Sequence, residues 1–435
     1  MLTVAEALAA ILTEVRPFES ALLPLDGALG LALAEDVAAD ADSPPFDKSL
    51  MDGFAVRAAD GAAGRVEWRV VEVVTAGQVP SRALGEGEAT QLMTGAPLPD
   101  GADAVVPVEH VVFDEAAGVV RISPPSEGGG RGRVEGNRDQ QPSPLPSLTG
   151  RGGTPGTNVL RRGTVFAAGQ RVLAAGTLLR PQELGVLAEI GQARILVRRR
   201  PRVAVLATGD ELVPVEETPG PGRIRNSNET MLCAQLRQAG AEAVPLGIAR
   251  DEPEHLREKI LAGLECDALI LSGGVSAGTK DLVPAVLERA GVRPVFHKIR
   301  LKPGAPLWFG TRNSEPGSRS ALVFGLPGNP VSSFVCCELF VRTTVRRLMG
   351  TEPAEPRAVS AVLGQVHVAR GDRPTYHPAR LEVEESGWVV RPVRWHGSSD
   401  LRALVDANAL AIIPAGDREW PAGSRMDALP LERNE

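Results

Sequence analysis

Residues 202–350 constrain this chain most, because they repeat one unit: a short apolar run, a turn rich in Gly or Asp, then a segment with helical spacing. Residues 268–271 (Ala-Leu-Ile-Leu) are one such run. Gly273, Gly274 and Gly278 follow, and residues 282–290 have helical spacing and stop at Gly291. Three more runs repeat the plan. Residues 203–207 lead into Thr208, Gly209, Asp210 and Glu211; residues 244–248 lead into Ala249, Arg250 and Asp251; residues 321–324 lead into GLPGNP at 325–330. Helices are expected over 228–238, 253–264 and 330–349, with Pro330 suited to a first helical turn, where its missing N–H costs nothing. Strands alternating with helices predict a three-layer α/β/α domain with a mostly parallel sheet.

This arrangement has chemical consequences. Open α/β sheets bind ligands beyond the carboxyl ends of their strands. A strand, a glycine turn and a helix start together offer backbone N–H groups and a helix dipole to an anion. Ser272, Gly273, Gly274, Ser276 and Gly278 form that turn here; the bland alternative is a tight turn with no ligand. Asp210, Glu211, Asp251 and Asp281 fall at strand ends or helix starts, on what should be one edge of the sheet. Mg²⁺ takes hard oxygen ligands, usually one or two carboxylates completed by substrate phosphates and waters. On the residues alone, Asp251 and Asp281 serve equally well as helix caps. Lys298, Arg300 and Lys302, beside His297, lie in a segment with no acidic residue between Arg289 and Glu315. Regular alternation from Val295 would put these three cations on one side, where they would attract an oxyanion. Pro303 and Pro306 fix φ and stiffen the loop beside them.

The rest of the chain divides around this domain, and 435 residues suit two to four domains. Thr3, Glu6 and an apolar stripe from Val4 to Val15 predict a capped helix. Residues 22–25 read as a strand, and 29–36 as a short helix after a turn at 26–28. Residues 46–123 show β patterning and are expected as an inserted β-rich domain. Residues 124–157, dominated by Gly, Pro, Ser and Arg, carry too little apolar content to bury a core and read as a disordered loop. Residues 158–200 are expected to close back onto 1–45 as a discontinuous N-terminal domain. Residues 351–435 alternate with period two and are expected as a C-terminal β domain, with an anion-receptive turn at 396–399 before a short helix.

Composition narrows the classes. A net charge of −7 gives no global reason to expect nucleic acid. No apolar run reaches the length of a membrane span, and a cytoplasmic protein is expected. Cys233, Cys266, Cys336 and Cys337 form no CxxC pair, and buried free thiols are expected.

Eight motifs in order carry a resemblance: MDGFA at 51–55, TGAP at 94–97, NVLRRG at 158–163, ATGDEL at 207–212, GIARD at 247–251, SGGVS at 272–276 with Asp281, KPGAP at 302–306 and GLPGNPV at 325–331. Along nearly the whole chain their order and spacing resemble the molybdopterin molybdenumtransferase family, the MoeA proteins and the E domain of gephyrin. Thr164-Val165 stands where the family often has Glu-Asp. The resemblance implies a central domain similar to molybdopterin adenylyltransferase and a homodimer, with each cleft shared with the partner's inserted domain. It implies transfer of molybdenum from molybdate onto adenylylated molybdopterin, release of AMP, and a requirement for Mg²⁺. Transient contact with the adenylyltransferase that makes the substrate is a further expectation. Carried over residue by residue, it gives Glu211, Asp251 and Asp281 metal-binding and catalytic roles, with Asp52 and Thr94 in the cleft from the inserted domain. Arg161 joins the phosphate-binding set, against a surface ion pair as its alternative. A non-catalytic pterin scaffold and adenylyl transfer from ATP are the rival readings; SGGVS in place of a TGGTG-type turn disfavours the second.

Overall fold

The structure is a computed structural model that describes residues 1–123, 155–275, 282–313, 320–385 and 387–431. It forms two compact units: Met1–Glu35 with Ala174–Glu435, and Asp36–Leu173.

The centre of the first unit is a six-stranded sheet, in the order Glu242–Ala249, Arg202–Thr208, Ala268–Ser272, Ala321–Leu326, Trp308–Arg312, Arg293–His297. The first four strands run parallel, as the repeated unit predicts, and the last two are antiparallel additions at one edge. The strands Arg202–Thr208, Ala268–Ser272 and Ala321–Leu326 are buried almost throughout, which is why they read as unbroken apolar runs. One core, with Val203, Val205, Ile270, Phe309 and Phe324, packs on helices Ser227–Gln238 and Pro330–Cys336. The other, with Ala204, Leu206, Leu269, Leu271 and Val323, packs on Pro253–Gly263 and Val283–Arg289.

The segment expected as one helix over 330–349 is helix Pro330–Cys336, a π-helical stretch Cys337–Val341 and helix Arg342–Met349. Thr343 and Thr344 hydroxyls donate to the Leu339 and Phe340 carbonyls (2.9 and 2.8 Å) and so compete with the backbone ladder there. The helix stops at Gly350, whose φ of 70° is left-handed.

At the N-terminus, helix Val4–Glu14 carries the capping box expected of Thr3 and Glu6. Residues 29–36 are not the short helix expected. Leu31, Ala32 and Leu33 are buried, and Ala32–Leu33 pairs with Arg194–Arg198, which also pairs with Ser20–Pro24. A tertiary strand partner overrides local helical preference here. The C-terminal segment closes as a five-stranded barrel of Val359–Leu363, Gly387–Pro392, Thr375–Glu384, Ala409–Ile413 and Arg425–Pro430. Two strands expected separately on either side of Pro378 are one, Thr375–Glu384.

The second unit is built on a six-stranded sheet in the order Ala104–Pro107, Gly53–Val56, Glu88–Leu92, Glu67–Val74, Val119–Ile122, Val111–Asp114. Phe54, Trp68, Val106 and Val120 fill its core. The unit reaches beyond the 46–123 block expected: Val37–Ala38 pairs with Arg171–Leu173, and Lys48–Ser49 pairs with Val159–Leu160. Most of the 124–157 segment lies outside the described residues, as does its expected disorder.

Candidate functional site

In the first unit the parallel strands end in register. Ala207 lies opposite Ser272, Ser272 opposite Leu326, and Thr208 opposite Ala249. A cavity of about 760 Å³ opens at this rim. Its walls come from the ends of these strands, the start of helix Ser227–Gln238, the Pro327–Pro330 turn, Pro306, and Ser399 and Leu401 of the C-terminal domain. Most of this wall sits where strand polarity places it, beyond the carboxyl ends of the parallel strands.

The glycine turn is shaped by close packing. Gly273 and Gly274 have φ of 99° and 64°. A Cβ at Gly273 would lie 2.6 Å from the Thr208 carbonyl oxygen, and one at Gly274 would lie 2.7 Å from Val283 Cγ2. Ser272, buried at 3 % exposure, Gly273 and Gly274 all line the cavity. Ser276 and Gly278, expected in the same turn, and Asp281, expected as a metal ligand, lie outside the described residues.

Of the expected carboxylates, Glu211 and Asp251 line this cavity. Asp210 does not; its Oδ1 accepts from the Asp251 backbone N–H (3.2 Å) and fixes the turn that presents Asp251. Among the described residues no cluster of three or more His, Cys, Asp or Glu side chains would hold a metal by itself. Two carboxylates in one cavity match the donor chemistry of Mg²⁺, which leaves most positions to phosphate oxygens and water.

The basic segment starts at the same rim, because His297 pairs with Trp308 and Trp308 with Gly325. The regular strand ends at His297, and Lys298 takes a left-handed φ of 70°. Beyond it Ile299 and Leu301 are buried, while Arg300 and Lys302 are exposed. Arg300 donates to the Asp372 carbonyl (3.0 Å) and Lys302 Nζ to the Arg370 carbonyl (3.4 Å), so both strap the loop before strand Thr375–Glu384. Of this stretch Pro306 alone lines the cavity; Lys298, Arg300, Lys302 and buried Pro303 do not.

Asp52, Thr94 and Arg161 belong to the second unit. Strand Gly53–Val56 pairs with Glu88–Leu92, Gly53 opposite Leu92, and this sets Asp52 beside Thr94. Asp52 Oδ1 accepts from Thr94 N–H (2.6 Å) and Thr94 Oγ1–H (2.8 Å). The backbone bond, then the hydroxyl, hold its carboxyl below the usual range. Exposed Leu50 and Met51 precede Asp52, and exposed Met93 precedes Thr94. Arg161 is ion-paired with Asp47, whose other oxygen accepts from Arg162 N–H (2.8 Å).

Sequence reasoning missed much of the wall: Asn226, Ser227, Asn228, Gly328 and Asn329. In the sequence Asn228 reads only as the start of a helix, and 226 and 227 are passed over. A run of short polar side chains at a helix start, just after a strand of such a sheet, was the signal available. The turn at 396–399, expected to receive an anion, does reach the cavity through Ser399, and Asp400 accepts from His396 N–H and Nδ1 (both 3.0 Å).

Comparison with known proteins decides the family. Three family models match in order: the MoeA N-terminal region (domain I and II) over residues 2–191, the "Probable molybdopterin binding domain" over 204–347 and the MoeA C-terminal region (domain IV) over 361–431. A protein named molybdopterin molybdenumtransferase from Bacillus subtilis (strain 168) is 34% identical over 416 residues, covering 94% of this chain and 90% of the relative. One of the same name from Staphylococcus epidermidis is 31% identical over 438 residues, covering 100% and 96%. The chain belongs to the MoeA family of molybdopterin molybdenumtransferases. A solved structure titled molybdopterin biosynthesis moeA protein, from Pyrococcus horikoshii OT3, is 26% identical, covers 99% of this chain and 100% of its own, and has a TM-score of 0.77. The cavity lies mostly on the 204–347 segment, with Ser399 and Leu401 contributed from the MoeA C-terminal region, and Asp52 and Thr94 lie on the N-terminal region.

Proposed function

We propose that this protein is a transferase that inserts molybdenum into molybdopterin in the synthesis of molybdenum cofactor. The carrying observation is one cavity at the carboxyl rim of the parallel sheet, bounded by the Ser272–Gly274 turn and by Glu211 and Asp251, in a chain of the MoeA family. The finer reading takes adenylylated molybdopterin and molybdate as substrates and AMP as leaving product. Ser272, Gly273 and Gly274 bind a phosphate by hydroxyl and backbone contacts. Glu211 and Asp251 would hold Mg²⁺ together with the phosphates. When bound, the ion neutralises charge developing on the departing phosphate. Asp281, in the same motif, is assigned to this set. Asp52 and Thr94 present a fixed carboxylate; in a homodimer they reach the cleft of the partner copy, with Leu50, Met51 and Met93 as apolar surface to cover.

The test measures AMP released from adenylylated molybdopterin, with molybdate and Mg²⁺ omitted in turn. Release needing both supports the reading; pyrophosphate formed from ATP and molybdopterin replaces it with adenylyl transfer. Asp251→Asn and Glu211→Gln should each lower the rate by roughly tenfold or more and raise the Mg²⁺ needed for half-maximal activity.

A further inference from the structure

The start of helix Ser227–Gln238 holds a side chain that touches two of the cavity's loops at once. Asn228 Nδ2 donates to Ser272 Oγ (2.8 Å) and to the Gly328 carbonyl (2.7 Å). A carbonyl oxygen only accepts, so Gly328 forces the amide nitrogen, and not the amide oxygen, to face this way. Ser272 Oγ is therefore an acceptor in its bond to Asn228. Among the described residues its own hydrogen is donated to no one, although the residue is buried and lines the cavity. The arrangement gives something up: Asn228 Oδ1 is buried without a partner. The orphaned acceptor is unfavourable, and the two bonds that the amide nitrogen donates hold the side chain in this orientation against it.

We propose that Asn228 is a positioning residue that commits the Ser272 hydroxyl to donate into the cavity, to an oxygen of a phosphate monoester. This rests on the reading that the cavity holds a phosphorylated pterin or its adenylylated form. With Asn228 donating to one lone pair of Oγ, the hydroxyl hydrogen turns away from Asn228 and is free for an acceptor in the cavity. A bond from that hydroxyl to an ionised phosphate oxygen is short and strong. The same amide ties the loop after Ala268–Ser272 to the turn after Ala321–Leu326, packed closely enough that a Cβ added at Gly328 would lie 3.7 Å from Gly273 Cα. Asn228 acts through Ser272 and need not touch the ligand.

A double-mutant cycle on the full chain tests this, with molybdopterin and AMP as separate probes titrated by calorimetry. Ser272→Ala should weaken the probe whose phosphate occupies the site by roughly tenfold, and Asn228→Ala by a comparable factor. The double variant should bind no worse than Ser272→Ala, because Asn228 has lost the group it acts through. The probe affected tells the pterin phosphate from the nucleotide phosphate. Multiplicative losses, or an Asn228→Ala protein that binds both probes like wild type, overturn the proposal. If Asn228→Ala fails to fold, Asn228→Ser keeps a small polar side chain at the helix start and should show the same coupling. Wild-type protein that binds neither probe overturns it too. The AMP-release assay separately decides the enzymatic reading.

Discussion

His377 sits edge-on to the rings of His367 and Trp395, with centroids 5.2 and 4.9 Å away. Burial, with His367 and Lys302 adding charge repulsion, lowers its pKa from 6.5 to about 4, and a bond from its ring Nδ1 to the Pro378 carbonyl only partly opposes this. The unfolded chain therefore takes up this proton first as pH falls. The stabilisation is complete above about pH 6.5 and is lost progressively down to about pH 4, on the order of 3 kcal/mol in all. Denaturant unfolding from pH 7 to 4 should show a shallower slope for His377→Gln than for the parent; equal slopes would mean that the ring is not held neutral. Gly274→Ala should destabilise by about 1–3 kcal/mol, because its Cβ meets Val283 and Thr208 Oγ1 at a left-handed φ; calorimetric Tm values check this. At this scale the sequence was readable where a residue type has one chemistry. Glu211, Asp251 and the two glycines were found because carboxylates at strand ends and glycines at turns mean few things. Asn228 was not, because an Asn at a helix start is usually a cap.

Glu338 lies on the π-helical stretch and is 5 % exposed; it accepts from Arg342 Nη1 and Gln235 Nε2, both at 2.8 Å. The bond to Gln235 crosses to helix Ser227–Gln238, the helix whose first turn carries Asn228. Glu338→Ala removes the carboxylate from a buried guanidinium and should cost about 3–5 kcal/mol. Replacing Glu338 and Arg342 together by Leu should cost far less, and urea midpoints at a common m-value distinguish the two. Elements were legible where periodicity was strong, as in the four parallel strands and their helices. They were lost where a partner far along the chain decided the matter. Ala32–Leu33 looked helical until Arg194–Arg198 paired with it, and strands Trp308–Arg312, Arg418–Trp420 and Arg425–Pro430 were not singled out in the sequence. The break at Cys337 was invisible because its residues, including Thr343 and Thr344 whose hydroxyls bond backward, read as ordinary helix sequence.

For the whole molecule, the chain leaves the first unit at Glu35 and returns at Ala174. Both sides of that gap are held together inside the first unit: Leu33 N–H donates to the Thr177 carbonyl (3.0 Å) and Gly176 N–H to the Leu33 carbonyl (2.8 Å). A short Gly-Ser linker from Glu35 to Ala174 should therefore leave a folded protein that keeps the cavity and its phosphate-ester binding. It should lose AMP release with Asp52 and Thr94; circular dichroism and the same titrations check this, and an unfolded product refutes it. The pairing of Ser20 with Arg198 has one more consequence. On the ribosome the first 35 residues must wait, with their strand edges open, until residue 198 has emerged. The described strands of 36–123 and 155–173 find their partners among themselves, so this unit can complete its strand pairing before residues 20–24 find theirs.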